Sequence, residues 1–433
     1  MANSQSRFFL LAMLCCMSTV AFAQTTTNSP YSIYGLGDPN TRSFAQNRSM
    51  GGAQIASSNP LYINAYNPAA YGFIAQPTFN ITGNIDFLKM SGPSNQVKSN
   101  NAYMNDFSFG FQLGKRAGVA FTLNQYTKIG YNIQATENNP QVGTVSYQYT
   151  GSGGINHFLF GGGIALIKKE RSKLYVGING TYYFGFAETN RYVSEFIDQP
   201  THLNSGISNR TNINDLALDV GVLFKQNLGK GNKLGVGVMY TPQSSLKATH
   251  EQFVFSYITN SGLLRIKDSV SYSLTDDQIL TPSFLGVGLS LELGSSWTLN
   301  GDIKIQDWSQ LQIYGRSENL NPRIEYSFGA EYLPNPDAMA KYLQSIRYRV
   351  GARNAQTRLN INGTQLTELG GSVGVGLPIL KAKSTSTLNI GMEFGQRSGK
   401  DLTLIKEGFT YVFIGVSFNP HKFDTWFKRR KYE

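Results

Sequence analysis

From Thr78 to Phe87 the sequence TFNITGNIDF sets Phe79, Ile81, Ile85 and Phe87 against Thr78, Asn80, Thr82, Asn84 and Asp86 at strict period two. Successive side chains of a strand point to opposite faces, so this run predicts a strand with one apolar and one polar face. Phe107, Phe109, Phe111 and Leu113 then alternate with Ser108, Gly110 and Gln112, GKRAG turns the chain, and Val119, Phe121 and Leu123 alternate with Ala120, Thr122 and Asn124. These runs predict a hairpin of the same dyad type. The pattern continues to the C-terminus, and no stretch of about 18 apolar residues interrupts it, so no transmembrane helix is expected there.

Connection lengths supply a second signal. Long polar connections near residues 91–102, 135–153, 191–210 and 250–281 alternate with short turns at 114–118, 168–173, 228–233 and 293–296. With connections near 316–323, 333–345, 358–366, 378–385 and 398–408 the series predicts fourteen strands. Short turns on one side and long loops on the other are the mark of an outer-membrane barrel. The connection at 333–345 breaks the alternation, and Asp337 to Gln344 is expected to form one short helix. Strands such as 297–315 exceed the ~9–11 residues that cross the hydrocarbon and are expected to project beyond it.

The fold class that follows is an all-β transmembrane antiparallel barrel, residues 77–419. Gly 45, Tyr 24 and Phe 27 at 15% charged residues suit many turns and interfacial rings. Two secreted β-sandwich domains are the soluble alternative, but sandwiches keep modest strands and an apolar interior. Tyr103, Tyr126, Tyr131, Trp297, Trp308 and Tyr314 stand near strand ends, where the aromatic girdles of a membrane barrel are expected.

Residues 1–23 carry one cation, Arg7, an apolar run from Phe8 to about Val20, and Ala21-Phe22-Ala23. This reads as a secretory signal peptide cleaved after Ala23, and the expected location is the outer membrane of a Gram-negative bacterium. Cys15 and Cys16 leave with the leader, which excludes a disulfide scaffold and a Cys-ligated metal, and neither has the small preceding residue of a lipidation site. The net charge of +11 is spread along the chain, so nucleic acid is not an expected partner. Cations cluster only in the tail at 420–433, where Trp426, Phe427, Lys428, Arg429, Arg430 and Lys431 read as an interfacial anchor for lipid and lipopolysaccharide, or as a partner-docking tail.

No enzymatic constellation emerges, and no cofactor is expected. His157, His202, His250 and His421 are not at ligand spacing, and Gly161-Gly162-Gly163 and GKGNK lack the phosphate-loop pattern. Asp302 and Asp307 have opposite strand parity, against a glycosidase-type pair; Asp302 reads as a lumen residue and Asp307 as a bulge or rim residue.

The stretch RSMGGAQIASSNPLYINAYNPAAYGF, Arg48 to Phe73, has no sustained period and two Asn-Pro steps. Met50-Gly51-Gly52-Ala53 followed by Asn67-Pro68-Ala69 resembles the amino-terminal MGGA to NPA region of the long-chain fatty acid transporter (FadL) family. Thr281-Pro282-Ser283, Gly286, Gly288, Trp297-Thr298-Leu299, Asp302 and Asp307-Trp308-Ser309 are similar to that family's late-barrel pattern, and Arg347-Tyr348-Arg349-Val350-Gly351-Ala352 resembles its following strand. The resemblance implies a fourteen-stranded barrel whose residues 24–76 include a lumenal hatch, with Met50, Gly51, Gly52, Ala53, Asn67, Pro68 and Ala69 as hatch positions. It also implies passive uptake of hydrophobic small molecules, long-chain fatty acids or aromatic hydrocarbons. Pro282, Trp297, Asp302, Asp307, Trp308 and Ser309 are then family-pattern barrel positions. The basic tail beyond Phe418 and the extra NSPYSIYGLGDPN before the hatch depart from that pattern. A non-transporting barrel serving a type IX-like secretion or surface complex is the alternative function.

Overall fold

The computed structural model describes residues 27–93, 95–141, 143–196, 203–260, 263–336, 341–379, 385–401 and 403–419. The expected leader and basic tail, including Trp426 to Lys431, lie outside them, as do His202 and His421.

Fourteen antiparallel strands close on themselves. They are β1 (Thr78–Ser91), β2 (Gln96–Leu113), β3 (Ala117–Gln125 and Thr127–Asn139), β4 (Gly143–Lys168), β5 (Ser172–Phe196), β6 (Asn204–Gly229) and β7 (Asn232–Thr241 and Ser245–Asn260). There follow β8 (Leu263–Leu280 and Phe284–Leu293), β9 (Trp297–Gln306), β10 (Arg323–Tyr332), β11 (Arg347–Ile361), β12 (Thr364–Pro378), β13 (Thr387–Ser398) and β14 (Lys406–Phe418). Pairing from Phe79↔Phe418 to Ser91↔Lys406 between β1 and β14 closes the barrel.

The dyad signal is borne out with its faces reversed relative to a soluble protein. On β1, Ile81, Ile85 and Phe87 are exposed while Asn80, Thr82, Asn84 and Asp86 are buried. An outward apolar band around a polar interior is what a bilayer requires. The hairpin expected from the phenylalanine alternation forms as read, with Phe107 opposite Leu123 and Phe111 opposite Val119.

Several boundaries need correction. The connections expected as long loops at 135–153 and 250–281 are extended hairpins, paired from Ile129↔Gly153 to Asn139↔Gly143 and from Ser245↔Leu280 to Asn260↔Leu263. Beyond the bilayer neither strand face meets lipid, so alternation disappears while backbone pairing persists. Strands β4, β5 and β6 span 26, 25 and 26 residues and project far past the membrane. The region 297–315 is no long strand: β9 stops at Gln306, and a 3-10 turn at Trp308–Gln310 redirects the chain. Of the helix expected at 337–344, the described part is a 3-10 turn, Tyr342–Ser345.

The expected girdle also requires correction. Trp297 is exposed and stacks on Tyr332 at 4.5 Å, but Tyr126, Tyr131 and Trp308 are buried. The Tyr103 hydroxyl donates inward to Asp86 at 2.8 Å, and the Tyr314 hydroxyl meets Thr211 Oγ1 at 2.5 Å. Tyr126 and Trp308 share the even parity of the inward-facing Asn124 and Lys304, and the break in β3 at Tyr126 turns the odd residues Ile129 and Tyr131 inward after the outward Phe121.

Candidate functional site: the lumen and the segment that fills it

Residues 27–77 contain no strand long enough to join the wall, and they lie against its polar inner face. Small residues let this backbone approach the wall, and the wall answers with glycine. A Cβ on Gly351 would strike the main chain of Met50 and Gly51, one on its cross-strand neighbour Gly329 would meet Met50, and one on Gly288 would lie 2.9 Å from Ala56 N. Pro68 and Ala69 sit in the same way against Gly177 and Gly163. Glycine in these strands therefore marks close approach of a second backbone.

The sequence dictates the path of the segment. Ala45–Arg48 forms one helical turn, and Gly51 and Gly52 then take positive φ, +65° and +78°. That reversal aims the N–H groups of Gln54 and Ile55 at Asp302 Oδ2, 2.6 and 3.0 Å away. Gly51 N–H also donates to Ser372 Oγ at 2.9 Å. Asn67 caps the 3-10 helix Pro68–Phe73 by accepting from Ala69 N, while its amide donates to Ile55 O at 3.0 Å and Val222 O at 3.1 Å. Each Asn-Pro step thus uses asparagine as a local cap, since Asn59 likewise accepts from Leu61 N. Asp302 faces the lumen as its parity predicts, and Asp307 ends β9 by capping Ser309 N.

Replacing Asp302 with Ala is expected to leave two buried N–H groups unpaired and to destabilise the fold by roughly 3 kcal/mol. The check is the urea midpoint of the detergent-solubilised barrel, and an unchanged midpoint would remove Asp302 as an anchor.

Ion pairs fix the middle of the lumen. Arg42 reaches Asp219 at 2.8 Å and Arg48 reaches Glu393 at 3.5 Å. Asp38 accepts from Arg397 at 3.1 Å, and Arg397 also holds Glu407 at 3.2 Å and Glu368 at 3.4 Å. Arg353 bridges Glu368 and Glu393, and Lys304 bridges Glu325 at 3.1 Å and the Gly52 carbonyl at 2.8 Å. Charges this buried persist only when paired on every side.

Above the charges the outer mouth is packed. Tyr31 and Leu36 of the segment join Tyr126, Ile155, Tyr183, Ile279, Trp308, Leu311 and Leu359 in one buried cluster. Burial and the Glu407 carboxylate push the Tyr31 hydroxyl up to about 12, so it remains a donor to Ile405 O at 2.5 Å. His157 is buried here beside Tyr126 and Tyr183, and His250 packs on Tyr314 at 4.7 Å. Two lumenal cavities beside Tyr66 and Phe284 hold about 40 Å³ each. Pro282 lines the second, at the break in β8. A larger cavity of about 640 Å³ opens at the end with short turns, between Ser57–Pro60 and Phe73 of the segment and Lys173, Lys225 and Lys233 of the wall.

A family model described as BamG matches residues 6–433. The chain belongs to the BamG family. A search of curated proteins finds no match. Among solved structures, a Pseudomonas aeruginosa FadL homologue is 12% identical, covers 90% of this chain and 100% of its own length, and superposes with a TM-score of 0.54. The Ralstonia pickettii toluene transporter TbuX is 13% identical with coverages of 88% and 99% and a TM-score of 0.54. The Pseudomonas putida toluene transporter TodX is 15% identical with coverages of 88% and 98% and a TM-score of 0.55. At such identities the likeness speaks for fold: an outer-membrane barrel of FadL type. The resemblance read from the sequence holds at that level, while the family carries a different name, BamG.

Of the residues that the sequence singled out, Met50, Gly51, Gly52, Ala53, Asn67, Pro68 and Ala69 meet inside this BamG-family barrel, and Asp302 joins them. Trp297 and Ser309 lie apart from that contact. Trp308 packs under Arg358, whose guanidinium lies 4.8 Å from its ring. The wall arginines that fix the segment, Arg397 through Asp38 and Arg358 through the Tyr34 and Gly37 carbonyls, carry no mark in the sequence, because their partners lie more than 300 positions away.

Proposed function

We propose that the protein is a non-transporting outer-membrane barrel that serves as an accessory or docking subunit of a secretion or surface complex. The observation that carries this reading is the filled lumen, whose outer mouth is packed, whose middle is ion-paired and whose inner cavities beside Tyr66 are of about 40 Å³. A route for an apolar solute would have to dismantle paired charges. The short turns also offer a docking surface: GKR at 114–116, KKERSK at 168–173 and LGKGNK at 228–233 carry many cations and one acid, Glu170. Such a rim suits an acidic partner on the periplasmic side.

The test is co-purification from native membranes, with and without residues 420–433 and with the turn lysines at 168, 169 and 230 changed to Glu. A stoichiometric protein partner that is lost on either change is expected; a barrel that purifies alone from gently solubilised membranes overturns the reading.

Passive uptake of hydrophobic small molecules is the second reading, and one observation favours it. The wall is interrupted at Tyr126, beside Gly153, Gly154 and Gly185 at φ +104°, +150° and +139°, where Asp38 and Pro39 pair with Lys128 and Thr127. A lateral route would use this break. Retention of a long-chain fatty acid or aromatic hydrocarbon by the purified protein, read by mass spectrometry, would support it.

A further inference from the structure

We propose that the outer wall carries a binding site for one phosphorylated, multi-acylated lipid of the outer leaflet, the lipid A of lipopolysaccharide, at the seam where the first and last strands meet. The site combines an apolar groove with a cluster of unpaired cations at its outer end.

The groove, of about 720 Å³, runs across the lipid-facing side of β12, β13, β14, β1 and β2. Phe87, Phe394 and Leu369 form its walls, all exposed on the outward face. Its floor is set by Gly371 and Gly408: a Cβ on Gly408 would approach nothing closer than 3.8 Å, so the absence of a side chain there leaves open space. An acyl chain laid in this groove gains contact on three sides that a flat wall cannot offer.

Lys89 and Lys98 are direct cross-strand partners on the same outward face, one strand repeat beyond Phe87. Lys406 adds a third cation, opposite Ser91. Like charges directly opposite each other are destabilising. Among the described residues none of the three lysines has an ion-pair partner, because the acids of these strands, Asp86, Glu368, Glu393 and Glu407, are buried on the lumenal side. The depth fits a headgroup: Phe79 to Lys89 covers roughly 33 Å along the strand, about 25 Å of height at a tilt of roughly 40°, which sets the lysines at the outer edge of the apolar band of such barrels. Three cations above a broad groove match a lipid with several phosphates and several chains better than one with a single phosphate. Lysines that merely snorkel would accept any anionic headgroup.

The experiment is native mass spectrometry of the detergent-solubilised full protein with lipid A, dephosphorylated lipid A or phosphatidylglycerol. One lipid A adduct is expected, with binding of the other two weaker by roughly tenfold or more. The triple variant Lys89→Gln, Lys98→Gln, Lys406→Gln is expected to lose a similar factor, and Gly408→Leu to lose it with all charges kept. Lys247→Gln, an outward lysine elsewhere, should change nothing. All substituted positions face lipid or water, and heat-modified gel mobility confirms folding. Equal binding of phosphatidylglycerol, or undiminished lipid A binding by either the lysine or the glycine variant, overturns the proposal.

Discussion

Replacing Arg397 with Met is expected to lower the unfolding free energy of the barrel by about 3–5 kcal/mol, because it strands buried carboxylates that have no other full partner. Arg397 is the common cation of Asp38, Glu368 and Glu407. Glu368 keeps Arg353 at 2.5 Å, and Glu407 keeps a hydroxyl from Ser29 at 2.5 Å, but Asp38 loses its ion pair. Asp38 belongs to the two-residue pairing that ties the segment to β3, so the change should also free residues 29–40 for proteolysis. Urea midpoints in micelles and limited digestion check both effects. Adding Glu407→Gln should restore part of the loss, since one stranded charge disappears. An unchanged midpoint with an undigested segment would show that the ion pair does not hold the segment.

How much of this was legible in the sequence depended on which solvent each residue faced. Phe79, Ile81, Ile85 and Phe87 alternate because lipid lies on one side and the polar lumen on the other, so period two and barrel class could be read directly. The hairpins at 129–153 and 245–280 stand beyond the membrane, where no such contrast exists, and they read as loops. Trp308 and Tyr126 share the even parity of the lumen-facing Asp302 and Asn124, so alternation points both inward and nearness to a strand end is no mark of a girdle. Among Trp308, Tyr126 and Tyr131 only the last, past the break in β3, has its face reset. Asp302 was placed correctly because it lies inside an unbroken β9.

The site itself was half legible. The stretch Arg48 to Phe73 shows no period and two turn-favouring Asn-Pro steps, which sets it apart from the strands. What it docks against could not be read, since the complementary positions, Gly177, Gly288, Gly329 and Gly351, lie on four strands far along the chain. An isolated strand glycine reads equally as a bend or a close approach. Buried pairs such as Arg48 with Glu393, 345 positions apart, depend on barrel register, which no local pattern encodes.

Gly351→Val is expected to open the lumen. The new Cβ would occupy the main-chain atoms of Met50 and Gly51, and a backbone held by Ser372 Oγ and by the Arg48 and Asn47 carbonyls has no rotamer into which to retreat. Overpacking a tight core costs about 1–3 kcal/mol where side chains can yield. Here the two backbones themselves collide, so displacement of the turn at Gly51 and Gly52 is the lower-energy outcome. Because that turn aims Gln54 and Ile55 at Asp302, its movement should release the segment as a unit. The expected readings are new protease cuts between residues 48 and 58 and a raised conductance in planar bilayers. Gly83→Val is the matched control: its Cβ would face outward with no atom nearer than 3.9 Å, and neither reading should change. Should Gly351→Val leave conductance at the level of the unaltered protein while the cuts appear, the packed cluster around Tyr31 and Trp308 alone closes the barrel. Should neither reading move, the segment does not depend on the glycine slot, and the close-approach account of this wall is wrong.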